Sequence, residues 1–122
     1  MKYLCLAYYD AAKFDALSPD ERKALVSQCP PLDAALRATG KVHLHGSLGL
    51  PTAGVAIRPK DGKATMTDGP FIETKEQIGG MFIIEAESLE EAVAIASKHP
   101  AATLGEAVGW GIEVRPVKTV ES

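Results

Sequence analysis

Two strand-length segments, residues 2–9 and 81–86, are apolar on both faces, and this constrains the fold more than any other feature of the chain. In the first, Tyr3, Cys5 and Ala7 alternate with Leu4, Leu6 and Tyr8, so neither side of a strand there suits water. The second, Met81-Phe82-Ile83-Ile84-Glu85-Ala86, reads the same way. Such strands belong in the middle of a sheet covered on both sides. The chain offers only two helical stretches to cover them.

The first opens at Ser18-Pro19-Asp20-Glu21, with a capping Ser, Pro at the first helical position and Glu three residues after the Ser. Leu25, Cys29, Leu32 and Leu36 continue it as one buried stripe that stops at Gly40, and Pro30-Pro31 predicts a kink or a split within it. The second opens at Ser88-Leu89-Glu90-Glu91, takes its stripe from Leu89, Ala92, Val93 and Ala96, and ends at His99-Pro100. Between them, Val42 and Leu44 alternate with His43, His45 and Ser47, as in a strand with one apolar and one polar face. Residues 55–59 and 63–67 flank Lys60-Asp61-Gly62, a tight-hairpin signal that Pro59 pushes to a sheet edge. Residues 101–108 read as a connection, and 110–115 as the last strand.

This order, β-α-β, a hairpin, then β-α-β, predicts an α+β ferredoxin-like split βαβ sandwich. Two helices cover one face of it, so a second copy is expected on the other, as a two-fold homodimer. With 122 residues, 46% of them hydrophobic, residues 1–122 are expected to form one domain. Sixteen acidic and thirteen basic side chains, with no Lys/Arg block, argue against direct nucleic-acid binding. No run approaches the ~20 apolar residues of a membrane span, and the first residues are too short for a signal-peptide core, so the expected location is cytoplasmic without a membrane partner. Cys5 and Cys29 lack metal-ligand or redox spacing and are expected to be reduced core thiols.

Asp68-Gly69-Pro70-Phe71, continuing through Glu73-Thr74-Lys75-Glu76-Gln77-Ile78 to Gly79-Gly80, places charges on a backbone directed by Gly and Pro. Together with the buried strand, the Ser-capped helix, His99-Pro100 and the ending Glu113-Val114-Arg115-Pro116, it resembles the DGPF-domain branch of the YCII-related family over nearly the whole chain. The resemblance implies a dimeric α/β barrel of ferredoxin-like subunits and a pocket near the dimer interface, in small enzymes or ligand binders. It also implies a link of some members to sigma-factor-like sequences. For the wider family it implies a His/Asp pair, with His on the first helix and Asp-Pro near the end of the second. This chain departs at both places: its first helix has no histidine, and His99-Pro100 stands where Asp-Pro is expected.

Asp68, His45 and His99 are the candidate catalytic residues. Asp68 either orients a histidine and exchanges protons with a ligand, or caps its own turn. His45 is its candidate partner, sharing the polar face of its strand with His43, and imidazole is the side chain that changes charge near neutral pH. His99 is read as a cation favoured by a helix C-terminus. Gly69, Pro70, Phe71, Glu73, Lys75 and Glu76 are candidate ligand-binding residues, and Glu113 and Arg115 belong to an interface or a site. The three histidines lack metal-site spacing, and no motif for a nucleotide or other cofactor is present, so no metal and no cofactor are expected. The functional expectation is a homodimer that binds an unknown small-molecule ligand and performs cofactor-independent acid/base chemistry. The alternative is a non-catalytic accessory protein engaging a sigma-type transcription factor.

Overall fold

The computed structural model describes residues 1–119; the end of the expected 1–122 domain lies outside the described residues. Among the described residues, six strands and five α-helices follow one another as β1 (Lys2–Asp10), α1 (Ala11–Asp15), α2 (Pro19–Val26), α3 (Cys29–Arg37), β2 (Val42–Ser47), β3 (Val55–Lys60), β4 (Lys63–Asp68), β5 (Glu76–Glu85), α4 (Leu89–Ala96), α5 (Pro100–Thr103) and β6 (Gly111–Pro116). Strands β2-β5-β1-β6 pair antiparallel in one sheet. That is the strand order of a ferredoxin-like α+β sandwich.

Both doubly apolar segments are central strands. Tyr3 and Cys5 of β1 join Phe82 and Ile84 of β5, Leu36 of α3 and Ala92, Ile95 and Ala96 of α4 in the core. The helix stripe of α4 is therefore Ala92, Ile95 and Ala96, whereas Leu89 and Val93 are 53% and 48% exposed. Across the opposite face, Arg115, Leu4, Ile83 and Leu44 stand side by side on β6, β1, β5 and β2. Leu44 there is 52% exposed.

Pro30 and Pro31 split the first helical region in the expected way. The reciprocal Ser18–Glu21 cap opens α2, and a new helix, α3, starts with its prolines in the first turn. The Asp61-Gly62 turn takes positive φ at both positions, 52° and 75°, and closes β3 onto β4 as a tight hairpin. This hairpin is not an edge of the main sheet, as Pro59 had suggested, but a separate two-stranded ribbon.

The largest departures concern β2 and the end of α4. The β2–β5 register slips between Val42 and Leu44, so one extra residue, His43, is accommodated there. A one-residue bulge reverses the alternation that follows it. Val42 keeps its packing on the core, Leu44 turns outward and His45 turns inward against Phe82. The shared polar face expected for His43 and His45 thus does not form. At the far end, α4 stops at Ala96, and His99-Pro100 begins α5 instead of ending α4.

Candidate active site

Beside the helix-covered face lies a cavity of about 730 Å³. Gly79 and Gly80 are part of its lining. At Gly79 a Cβ would come within 2.9 Å of the Tyr9 ring, and at Gly80 within 3.2 Å of the Gly46 carbonyl, so glycine lets Tyr9 and β2 approach β5 this closely. Tyr9, Phe14 and Trp110 supply aromatic wall, and Asp15, Arg22 and Asp33 bring charge to it.

Asp33, His45 and His99 converge on this cavity from α3, β2 and the start of α5. One ligating atom of each lies within 4.8 Å of those of the other two, and all three side chains are partly buried. His45 Nε2 is 3.8 Å from Asp33 Oδ1, and the His45 side chain is only 18% exposed. That separation is an electrostatic contact rather than a hydrogen bond, and it leaves Nε2 free for a molecule in the cavity. The His99 ring stacks on Phe82 at 4.9 Å between centroids and 5° between planes, and meets His45 edge-on at 5.4 Å.

His99 is fixed at its other edge as well. It is the N-cap of α5, and its Nδ1 accepts a hydrogen bond of 3.0 Å from the Ala101 N–H. Burial first, and then the neighbouring His45, lower its pKa from 6.5 to about 4, against a smaller opposing effect of Asp33. The residue read from sequence as a cation at a helix C-terminus is thus a neutral ring at a helix N-terminus. A consequence for stability follows. Between pH 6.5 and about 4 the unfolded chain binds a proton on His99 that the folded chain refuses, so this contribution is present above pH 6.5 and lost as pH falls through the window. Screening at the ring's exposed edge limits it to on the order of 1–2 kcal/mol. Urea unfolding at a series of pH values should show this loss in the native protein, and a smaller one in His99→Asn.

The other candidates lie elsewhere. Asp68 ends β4 on the exposed ribbon, outside this cavity, and the carboxylate beside His45 is Asp33. Pro70, Phe71 and Glu76 line a second, more open hollow of about 630 Å³ with Leu50 and Ile78. Gly69, Glu73 and Lys75 line neither hollow. Gly69, at φ 89°, ties the ribbon down through its N–H to the Gly54 carbonyl, and Arg58 lies over the Phe71 ring at 3.8 Å while donating to its carbonyl at 2.7 Å. His43 is outside the site and pairs with Glu85 at 3.4 Å. Glu113 accepts from the Tyr8 hydroxyl at 3.0 Å. Cys5 is a core thiol whose burial raises its pKa to about 11, whereas Cys29 lies in the cavity wall and not in the core.

The chain is thus a ferredoxin-like α+β protein whose candidate site is a carboxylate and two imidazoles gathered on one cavity. The chain belongs to the YCII-related domain family, which matches residues 1–120. It is 32% identical over 96 residues to an uncharacterized protein of Rhizobium meliloti (strain 1021), a match spanning 79% of this chain and 77% of that one. Among solved structures it is similar to 5-chloro-2-hydroxyhydroquinone dehydrochlorinase from Burkholderia phenoliruptrix AC1100, in complex with 2,5-dihydroxybenzoquinone. The TM-score is 0.49 and the identity 21%, over 97% of this chain and 94% of that one. No helix among the described residues is long and apolar enough to cross a membrane.

Proposed function

We propose that this protein binds a small metabolite in the 730 Å³ cavity and transfers a proton to or from it, with His45 as the proton carrier and Asp33 as the group that orients and stabilises its charged form. The observation that carries this reading is the convergence of Asp33, His45 and His99, brought from three separate elements onto one partly buried wall. Buried titratable groups gathered in a concave site are costly to fold around and useful for chemistry. Extraction of the purified protein followed by mass spectrometry, and chemical-shift mapping with the compound recovered, provides the test. The compound should perturb His45 and His99 first. Perturbation confined to the hollow beside Phe71 would overturn the assignment.

The finer assignments belong with this proposal. The Asp68-Gly69-Pro70-Phe71 motif supports assignment of the chain to the DGPF branch, and on this proposal the protein acts in the cytoplasm as a homodimer. Leu4, Leu6, Met81 and Ile83 on the face away from the helices support the dimer, since water gains nothing from an apolar central sheet. Leu6→Lys should halve the mass measured by light scattering, and an unchanged mass would remove that face from the interface. A second reading rests on the ribbon, where Ile57 and Met66 are 59% and 71% exposed: an accessory protein that engages a sigma-type transcription factor through these side chains. Ile57→Asp distinguishes the two, because it would abolish such an association and leave the cavity's ligand bound.

A further inference from the structure

We infer that His99 is a fixed hydrogen-bond donor to a ligand oxygen, and that the cavity accordingly takes carbonyl compounds with an acidic C–H beside the carbonyl. The inference deepens the reading of His45 as proton carrier and rests on it. It begins with Pro100. As the first residue of α5 it has no N–H, so the Ala101 N–H is the first donor of that helix in need of a partner. It finds His99 Nδ1 at 3.0 Å. An N–H donates only to a lone pair, so Nδ1 carries no hydrogen, and the single hydrogen of the neutral ring is on Nε2. Protonation of Nδ1 would set two N–H groups against each other. Stacking on Phe82 fixes the ring plane as well.

His99 and His45 are therefore not equivalent. Nδ1 of His99 is committed to the backbone, and its free nitrogen presents a hydrogen, whereas His45 keeps its Nε2 beside Asp33. A cation held by Nε2 of His99 would need the other tautomer and would cost the α5 cap, so the trio suits a proton-transfer site better than a metal site. The two roles complement each other in one reaction class. His45 takes the proton from carbon; the electron pair of the broken C–H bond forms the C=C bond, and the carbonyl π pair moves onto oxygen as an enolate. The Nε2–H of His99 holds that oxygen while its charge develops, and His45 returns the proton to the same or a neighbouring atom. A neutral imidazole held beside a base on another residue is an established arrangement for such chemistry. The low pKa of His99, about 4, agrees with a ring that stays neutral in this role.

Imidazole nitrogen NMR of the ¹⁵N-labelled protein tests the assignment without any turnover. The titratable groups facing the ring are His45 of β2 and Asp33 of α3. Through their ionisation His99 should show a bare Nδ1 and a protonated Nε2, unchanged from about pH 5.5 to 8. Acetylacetone, which forms a stable enolate, should move the Nε2 proton downfield. His99→Asn, which keeps an acceptor for the Ala101 N–H, should weaken binding of that probe at least tenfold while the protein stays folded. A hydrogen on Nδ1, an imidazolium at neutral pH, or zinc binding at Nε2 would overturn the donor role. No response of the Nε2 proton to acetylacetone would overturn the substrate class. His45→Gln separates this inference from the proposed function: the His99 tautomer should persist in that variant, and if proton exchange persisted too, the base assignment would fail while the donor stood.

Discussion

Replacing His45 with Gln is expected to lower proton exchange between solvent and a bound carbonyl compound by about 10²- to 10⁴-fold, the range that a positioned general base contributes. The readout is deuterium incorporation from D₂O, followed by mass spectrometry. Gln matches the size of imidazole closely enough to fill the space against Phe82, which His45 meets edge-on at 5.8 Å, and it cannot carry a proton between two atoms. Folding stability should change little. Asp33→Asn should act in the same direction but less, because at 3.8 Å the carboxylate stabilises the charged imidazole without touching the reacting atoms in this arrangement. Asp68→Asn is the contrasting case. Asp68 lies outside the cavity, on the exposed end of β4, so exchange should stay within twofold of the native rate. Equal losses in the His45 and Asp68 variants would mean that the ribbon joins the site, which a partner subunit's ribbon could do in an assembled dimer.

The central strands and the two Ser caps were legible because each rests on a local rule. Two-sided apolar runs became β1 and β5, Ser18 and Ser88 capped their helices, and Asp61-Gly62 made its turn. The site was only half legible, for reasons that are also local. His45 and His99 were visible as residues, but their surroundings depend on two events that the pattern concealed. A bulge at His43 needs no Gly or Pro, so strict alternation gave no hint that His45 would turn inward and Leu44 outward. At His99-Pro100 the proline reads as a stop, although Pro is equally at home in the first turn of a helix, and His is an uncommon cap.

Asp33 was missed altogether, yet a signal for it existed. It stands four residues after Cys29 and three before Leu36, which puts a carboxylate on the edge of the apolar stripe of α3. A charge at the margin of a buried stripe needs a partner, and here the neighbouring groups are His45 and His99. The loop containing Asp68 was more conspicuous for its composition. Its Gly and Pro shape a turn, and composition alone could not tell that the turn would stand on a separate ribbon rather than over the sheet. On the proposed reading, the His/Asp pair implied by the family resemblance is met by a different distribution of residues, with the carboxylate on α3 and imidazoles on β2 and at the start of α5.

Phe82 connects the core to the candidate site, and its replacement by Ala is expected to cost about 3–5 kcal/mol of folding stability. The side chain is fully buried on a central strand, among Tyr3, Cys5, Leu36 and Ile84, so truncation leaves a void that the sheet cannot close without moving β1 or β5. Against a total of roughly 5–15 kcal/mol for a domain of ordinary stability, the loss would shift the urea midpoint far down at an unchanged slope. Phe82→Leu separates packing from positioning. It keeps most of the apolar volume and should cost under about 1.5 kcal/mol. It removes the flat surface against which His99 lies at 5° and the edge that meets His45. The folded Leu variant should therefore keep the α5 cap, and with it the bare Nδ1 of His99, while the ring gains freedom to rotate and the enolate probe binds more weakly. A Leu variant that binds the probe as tightly as the native protein would show that the cap alone aims the Nε2 hydrogen.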